Sequence, residues 1–294
     1  MLAKLKRKLI WNLLKLPLPD KWMLSLRYYQ FSGKWMDWRH PRTFNEKIQC
    51  LKHCDRRQEC VMQADKCAVK DWVAEKVGPA YVVPTYGIWE RAEDIDFDAL
   101  PDRFVLKCNH DSGSVVLCTD KASFDRSSAR QKLKTALQRD FSRSGGEWVY
   151  KHIPRKVFAE QYLDARDAGG LMDYKFFCFN GVPEYLYVSS GMENHATARV
   201  NFFYPDWSVA PFTRSDYPSM DLLPPKPACL DEMLRLCRVL SEGHPFVRVD
   251  LYWVNGQVYF SEMTFYPNGG YIPFLTEEMD EAAGAYLKIP LQTA

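Results

Sequence analysis

Two kinds of periodicity divide the chain. In its first third, apolar residues recur at helical spacing, and "PRTFNEKIQCLKHC" at 41–54 opens a helix in which Thr43 and Glu46 fit a capping box. A second helix is predicted over about 61–77, because Gly78 is a good left-handed stop. "AYVVPTYGIW" at 80–89 reads as short strands around Pro84. These elements predict a mostly helical N-terminal region up to about residue 95.

Strand patterns dominate the rest of the chain. "DRFVLKCNHDSGSVVLCTD" at 102–120 predicts a strand, a polar loop and a strand, followed by a helix over about 127–141. "RKVFAEQYL" at 155–163 predicts another strand, and "DYKFFCFNGVPEYLYVSS" at 173–190 predicts a hairpin that turns at Asn-Gly. A helix over about 230–242 and a last hairpin follow. With no visible repeat or long linker, the pattern favours an α+β protein with antiparallel sheets.

The last hairpin, "RVDLYWVNGQVYFSEMTFYPNGG", carries charges inside apolar strands. Arg248 and Asp250 share a face of the first strand, and Glu262 lies in the second. A strict two-residue turn would pair Asp250 with Ser261 and send Glu262 to the other face. The acids can therefore meet only if a three-residue turn or a β-bulge shifts the register. They would then suit a Mg²⁺ site completed by substrate phosphates; alternatively, Arg248 pairs with one or both acids in a structural ion network.

Three further positions are candidates for ligand binding. Lys107 precedes "CNHDSGS", a loop whose backbone N–H groups could contact phosphate, although Gly113 is its one glycine. Glu160 ends an apolar strand, where it could receive the amino group of an adenine or simply be a solvated strand end. Lys175 lies among aromatic residues, and burying its ammonium group is favourable if an anion meets it.

Composition narrows the classes of protein. At 294 residues the chain can form two domains or one composite unit, and 47% apolar with 26% charged residues is typical of a globular protein. A net charge of +2 does not favour nucleic-acid binding. Nine cysteines, an odd number, favour a reducing, cytoplasmic compartment. The cluster from Cys50 to Cys67, with His53, could hold zinc, but without paired CxxC spacing it is more typical of helix packing.

The N-terminus, "MLAKLKRKLIWNLLKLPLP", is basic and lacks acidic residues before Asp20. Its apolar run is broken by Asn12 and Lys15, which excludes a spanning helix, and a signal peptide does not fit. Five leucines fall on one helical face: Leu2, Leu5, Leu9, Leu13 and Leu16. This pattern predicts either a helix lying on an anionic membrane, peripheral to its inner face, or a helix docked on the protein's own core.

Several segments occur in an order that matches a known family. They are "PRTFNEKI", the Asp-Lys pair at 65–66, Gly78 through "VVPTYG", "RFVLKCNHDSG", "FAEQYL", "DYKFFCFNG", "RVNFFYPDW", "RVDLY" and "SEMTFYPNGG". In this order they resemble the ATP-grasp superfamily, specifically the ATP-grasp proteins of bacterial polysaccharide biosynthesis typified by the teichuronopeptide-synthesis protein. The resemblance covers most of the chain. It implies an ATP-grasp fold with two α+β subdomains, at 96–163 and 164–294, preceded by a helical region at 1–95.

The resemblance also implies roles for individual residues. It places ATP between the two subdomains, with Lys107 and Lys175 on its phosphates. The phosphate loop supplies Ser112, Gly113 and Ser114, and the adenine hinge comprises Glu160, Gln161, Tyr162 and Leu163. Asp250 and Glu262 are implied Mg²⁺ ligands. Thr264 stands where many ATP-grasp enzymes have asparagine, and its hydroxyl oxygen can serve as a further metal ligand.

The reaction implied is ATP-dependent amide formation. A substrate carboxylate attacks the γ-phosphate of ATP to give an acyl phosphate, and an amine then displaces phosphate. Lys175 and Lys107 would offset charge on the transferring phosphoryl group. Arg248 and Arg199 are candidates for holding the acyl phosphate oxygens, and either arginine could instead be structural. The resemblance predicts that an amino acid or amine is joined to a uronic acid of a cell-surface polysaccharide or its precursor.

Two other functions are compatible with the sequence. In "EDIDFD", Asp94, Asp96 and Asp98 imitate the D-x-D metal site of glycosyltransferases that use nucleotide sugars, although a solvated turn before the next strand explains them equally simply. A binding protein that retains an ATP-grasp shell without catalysis is the third hypothesis, and Thr264 is the feature that supports it.

Overall fold

The computed structural model describes residues 10–14, 16–165, 170–191 and 197–289. Residues 10–13 are helical, and the rest of the predicted N-terminal amphipathic helix lies outside the described residues. The helices that follow are α1 (Asp20–Ser32), α2 (Phe44–Cys54), α3 (Glu59–Ala64) and α4 (Ala68–Val77). In the described part of the chain, no helix has the length and apolar character needed to cross a membrane.

The helix boundaries follow local chemistry. The predicted capping box is confirmed: the Thr43 side chain accepts from the Glu46 N–H, and the Glu46 side chain accepts from the Thr43 N–H. The helix predicted over 61–77 is two helices, α3 and α4. They are separated at Asp65, whose side chain accepts hydrogen bonds from the N–H groups of the next turn. Helix α4 ends at Gly78 as predicted, but the glycine has φ of 114° and ψ of 148° and not the left-handed helical conformation that the sequence suggested.

The first sheet has four antiparallel strands in the order β1-β4-β2-β3. They are β1 (Thr85–Trp89), β2 (Phe104–Cys108), β3 (Val116–Cys118) and β4 (Val157–Gln161). Helix α5 (Arg126–Gln138) packs against β2. Two short helices, α6 (Ser142–Gly145) and α7 (Trp148–Lys151), lead into β4.

The second sheet has five antiparallel strands in the order β7-β6-β5-β8-β9. They are β5 (Asp173–Phe179), β6 (Val182–Ser190), β7 (Arg199–Phe203), β8 (Phe246–Val254) and β9 (Gln257–Thr264). Helix α8 (Leu230–Leu240) packs on β5, β6 and β8, and α9 (Glu277–Gly284) packs on α2. Both predicted Asn-Gly hairpin turns are present, with φ near 50° at each asparagine and near 80° at each glycine.

The register of the last hairpin contains the predicted β-bulge. The turn is a strict two-residue one, because Val254 pairs with Gln257. The register then shifts between Asp250 and Leu251, so that Asp250 lies opposite Glu262 and Ser261 is the extra residue. The two acids therefore share a face of the second sheet.

Two hydrophobic cores correspond to the two sheets. One core comprises residues between 92 and 159 around the first sheet. The larger core joins the second sheet to α2, α3, α4, α7 and α8; for example, the Phe44 ring of α2 lies 5.8 Å from that of Phe177. Helices α2, α3 and α4 thus pack with the second sheet, whereas Tyr28 of α1 packs with Met36 and Cys50 in a separate small cluster. The division into 1–95, 96–163 and 164–294 remains a proposal about the units of the chain.

Candidate active site

A cavity of about 450 Å³ lies over the charged face of the second sheet, and Lys66, Ser112 of the loop after β2 and the segment 141–150 also line it. Its charged and polar lining comes from both halves of the protein. The lining residues that carry charge are Lys66, Glu147, Asp173, Lys175, Arg214, Arg248 and Glu262. Aromatic rings line it too, from Phe141, Tyr150, Tyr187, Tyr217, Tyr266 and Tyr271. Such a concave site with converging polar groups is typical of a substrate site.

The second sheet contributes an ion network, called here the sheet network: Lys175, Arg248, Asp250, Glu262 and Thr264. Cross-strand pairing aligns Lys175, Asp250 and Glu262 in one row. Arg248 donates to both oxygens of Asp250, at 2.6 and 2.7 Å, and to Glu262 Oε1 and Thr264 Oγ1, each at 3.1 Å. Lys175 Nζ lies 2.5 Å from Asp250 Oδ2. Both sequence interpretations of the hairpin are therefore represented: the acids share a face, and Arg248 pairs with both.

The protonation of this network follows from burial and neighbouring charge. Burial raises the pKa of the Asp250 carboxyl to about 6, although Arg248 and Lys175 oppose it, and the group stays ionised at neutral pH. Burial alone would also raise the pKa of Glu262, but the cations of Lys66, Lys175 and Arg248 hold it well below its usual value. The site therefore presents carboxylates and cations together.

Lys66 connects the two halves of the site. Its ammonium lies 3.0 Å from Glu262 Oε2 on β9 and donates at 2.9 Å to the Asp111 carbonyl in the loop after β2. The neighbouring Asp65 accepts from Asn109 of the same loop at 2.9 Å. The Asp-Lys pair thus ties the loop to the helix α4 N-terminus and directs a cation into the cavity.

A second cluster lies in the first sheet and comprises Lys70, Lys107 and Glu160. Each oxygen of Glu160 is bound by one ammonium group, Oε1 by Lys107 and Oε2 by Lys70. Burial alone would raise the pKa of Glu160, but Lys107 and Lys70 hold it below its usual value. Burial alone would lower the pKa of Lys107, but Glu160 raises it, with a smaller contribution from Glu262, so this cluster lies within electrostatic reach of the sheet network. The Glu160 carboxylate is thus engaged by two lysines, whereas the sequence hypothesis has it receive an adenine amino group.

The three residues predicted to bind ligand in the loop after β2 have different surroundings. Ser112 lines the cavity. Gly113 is exposed, with φ of 94° and open space where a side chain would stand. Ser114 is buried; its hydroxyl accepts from the Cys108 N–H at 2.9 Å and donates to Asp111 Oδ1 at 2.6 Å. In this loop Ser114 therefore holds the backbone in shape, and Ser112 faces the substrate space.

Arg199 does not line the cavity. It lies on edge strand β7, and its Nη1 donates to the Ala198 carbonyl. Arg214 lines the cavity instead: it is 5% exposed, forms a two-bond pair with Asp216 and lies over the rings of Tyr187 and Tyr217. The geometry therefore favours Arg214 over Arg199 as a residue near substrate.

A Mg²⁺ ion fits part of the predicted donor set. Mg²⁺ prefers oxygen ligands and commonly binds one or two carboxylates together with phosphates and water. Glu262 and Thr264 line the cavity, although Arg248 and Lys66 already pair with the Glu262 oxygens. Asp173 Oδ1 is buried there without a hydrogen-bond donor among the described residues. Asp250 is fully buried and does not line the cavity, because Arg248 and Lys175 cover its oxygens. Asp250 could bind a metal only if one of these cations moved.

The comparisons with known proteins bear on this arrangement. A model of the family described as "TupA-like ATPgrasp" matches residues 46–288. The chain belongs to this family. The match spans all the strands of both sheets, and the protein has the ATP-grasp fold that its sequence segments predict. No curated protein matches the sequence.

Solved structures with detectable similarity include several ligases. D-alanine–D-alanine ligase from Bacillus anthracis, complexed with ATP, is 18% identical, with 69% of this chain and 55% of that chain covered and a TM-score of 0.41. The corresponding ligase from Helicobacter pylori is 15% identical, with coverages of 81% and 68% and a TM-score of 0.40. D-alanyl-alanine synthetase A from Vibrio cholerae is 11% identical, with coverages of 84% and 64% and a TM-score of 0.40. This TupA-like chain thus spans little more than half the length of the first of these proteins.

Neither alternative metal site forms in the structure. Asp94, Asp96 and Asp98 are exposed; Asp96 accepts from the Asp98 N–H, and Asp98 pairs with Arg126. The four cysteines of the possible zinc cluster are free thiols on or beside α2, α3 and α4. Within the described ranges, His, Cys, Asp and Glu side chains do not gather in groups of three that could hold a metal ion.

Several cavity residues escaped the sequence analysis. Lys66 belongs to a motif that carries the family resemblance, and that motif could have assigned it. Asp173 lies two residues before Lys175 on the same strand face, so strand periodicity could have found it. Glu147 and Arg214 stand in irregular segments, where no periodic signal marks them.

Proposed function

We propose that this TupA-like protein is an ATP-dependent carboxylate–amine ligase. One observation supports this most directly: Lys66, Lys175 and Arg248 converge on a cavity that also presents the oxygens of Glu262 and Thr264. Cations beside oxygen donors are the arrangement that phosphoryl transfer requires, since its catalysis is mostly positioning and charge stabilisation. Membership of an ATP-grasp family supports ATP as the substrate that binds there.

In the proposed reaction, the substrate carboxylate attacks the γ-phosphorus of ATP and ADP leaves. The resulting acyl phosphate is then attacked by the amine, which forms the amide and releases phosphate. Lys66, Lys175 and Arg248 neutralise charge on the phosphoryl oxygens, while Glu262 and Thr264 would hold Mg²⁺, which supplies further positive charge when bound. Lys107 keeps Glu160 ionised at the edge where the adenine hinge of Gln161, Tyr162 and Leu163 is proposed.

The sequence supports more specific proposals for the two substrates and for the location of the protein. The family resemblance supports a uronic acid of a polysaccharide or its precursor as the carboxylate, and an amino acid or other amine as the nucleophile. The basic N-terminal segment supports a cytoplasmic protein that lies on the inner face of an anionic membrane. Removing residues 1–17 should abolish binding to vesicles that contain phosphatidylglycerol, and undiminished binding would contradict the membrane assignment.

Thermal unfolding with Mg²⁺ and a non-hydrolysable ATP analogue tests nucleotide binding. A ligand that binds the folded state raises the unfolding temperature with its concentration. We expect a rise in the wild type and in the control Lys76→Met, whose lysine is exposed, and a much smaller rise in Lys66→Met. A rise with UDP-sugars alone would favour a glycosyltransferase instead. Nucleotide binding without ADP release on any carboxylate and amine would favour a binding protein.

A further inference from the structure

Glu147 is a buried carboxylate that makes no hydrogen bond or ion pair through its side chain with the described residues. Its side chain lines the cavity, and the residue is only 5% exposed. Among the described residues, no donor hydrogen-bonds its carboxylate and no cation lies within ion-pair distance. It precedes helix α7 but does not cap it, because its carboxylate accepts from none of the helix N–H groups. Buried carboxylates are normally paired, so this one requires an explanation.

The buried ammonium group of Lys52 already donates all its hydrogens to other residues. Lys52 is fully buried and donates to three oxygens: Gln49 Oε1 at 2.9 Å, the Gly145 carbonyl at 2.6 Å and the Gly269 carbonyl. An ammonium group has three hydrogens, so none is left for Glu147. Burial lowers the pKa of Lys52, and the negative charge of Glu147, which lies within electrostatic reach, acts against that shift. Lys52 therefore fixes the segments around Gly145 and Gly269, called here the glycine loops. The carboxylate of Glu147 stays open to a ligand.

The surrounding glycines make room for this carboxylate. A Cβ atom added at Gly145 would lie 2.7 Å from Glu147 Oε1 and 3.1 Å from the Gly269 Cα atom. A Cβ at Gly269 would lie 3.4 Å from the same oxygen. The two loops can therefore approach each other around the carboxylate only because both positions lack side chains. The space beside the Glu147 carboxylate therefore suits a small ligand group that can bind to it.

Taking the ligase reaction proposed above as its basis, we propose that Glu147 binds the amine substrate: its carboxylate receives a primary ammonium group and accepts one proton from it. The neutral nitrogen then uses its lone pair to form the C–N bond with the acyl carbon. The C–O bond to phosphate breaks with its electron pair on phosphate, which also takes the second nitrogen proton. We therefore expect the substrate that binds at Glu147 to be a primary amine.

The protonation state of Glu147 suits this role. Burial raises the pKa of its carboxyl to about 7, and the cations of Lys52, Lys66 and Arg248 act against burial while Glu262 reinforces it. A base whose pKa lies near the working pH is an efficient proton acceptor. An arriving ammonium group would also supply the charge that the buried carboxylate lacks.

Binding of a simple ammonium ion tests the subsite without ATP or turnover. Methylammonium chloride is compared with tetramethylammonium chloride, which has no N–H donors, at equal ionic strength and pH 8. We expect methylammonium to raise the unfolding temperature of the wild type and of the control Glu75→Gln, whose glutamate is exposed. The difference between the two salts should vanish in Glu147→Gln and shrink in Glu147→Asp. Equal differences in the wild type and in both Glu147 variants would overturn the proposal.

Turnover supplies a second readout that separates this proposal from the ligase assignment. Glucuronate and galacturonate, free or linked to UDP, are supplied with Mg²⁺-ATP and either methylamine or hydroxylamine, which is largely uncharged at pH 8 and traps acyl phosphates. Glu147→Gln should lower the methylamide rate at least about 10-fold more than the hydroxamate rate, in keeping with a proton acceptor. Equal losses of both rates would overturn the role of Glu147. Absence of hydroxamate in the wild type would count against the ligase assignment alone, since methylammonium binding is measured independently.

Discussion

Asp250 and Glu147 are two buried carboxylates at the same cavity, in opposite circumstances. Asp250, on a strand of the second sheet, is fully buried and accepts three hydrogen bonds from Arg248 and Lys175. Glu147, in a loop between two glycines and a short helix, accepts none from the described residues. Neighbouring strands place partners at fixed spacings, so a sheet can satisfy its own charges. The loop instead leaves a charge that a substrate can satisfy.

Breaking the sheet network should have the largest effect. Arg248→Met leaves Asp250 buried with Lys175 as its remaining partner, and removing one member of a buried ion pair costs about 3–5 kcal/mol. Urea unfolding should show this loss, while Arg238→Met, an exposed control, changes stability by less than about 0.5 kcal/mol. Equal effects of the two substitutions would mean that the network contributes little to stability.

Removing the cation beneath the glycine loops should have the next largest effect. Lys52→Met deprives two buried backbone carbonyls and Gln49 of a charged donor, a change expected to cost about 2–4 kcal/mol. Differential scanning calorimetry against Lys76→Met measures it. If the glycine loops support the amine subsite, the methylammonium effect should fall as well; an intact effect would show that Lys52 serves stability alone.

Neutralising Glu147 should stabilise the ligand-free protein. Because its folded-state pKa lies near 7, above the ordinary value of 4.5, the wild type loses stability relative to Glu147→Gln as pH rises from about 4.5 through 7. The substitution should therefore add on the order of 1–2 kcal/mol at pH 8 and less at pH 5. Urea unfolding of both proteins at the two pH values gives the difference. A constant difference would show that Glu147 does not titrate in this range.

An exposed ion pair gives the smallest expected effect. Arg103, just before β2, pairs with Asp164, which follows β4, and their side chains are 44% and 28% exposed. Arg103→Gln should change stability by less than about 1 kcal/mol, and 0.5 M salt should reduce the effect further. Thermal unfolding at two salt concentrations measures this. A loss as large as that of Arg248→Met would show that burial is not what separates the two kinds of pair.

The sequence by itself determined the features that depend on neighbours along the chain. The Thr43 capping box, the stop at Gly78 and both Asn-Gly turns each rest on hydrogen bonds or backbone angles within a few residues, and all were predicted. Strand patterns likewise identified the strands other than β7 and the charged positions inside the last hairpin. The order of several such segments indicated the ATP-grasp family.

The tertiary structure decided what depends on distant parts of the chain. Alternation alone left the hairpin register open, and the bulge at Ser261 settled it by bringing Asp250 opposite Glu262. Folding brought Lys66 from a helix terminus to β9, and Arg214 from a loop to the cavity from which Arg199 is absent. The sequence could not show that Glu147 makes no hydrogen bond with the described residues, because this depends on Lys52 donating its three hydrogens to other oxygens. Local patterns encode local hydrogen bonds, whereas the partners of a buried charge are known only once the chain is packed.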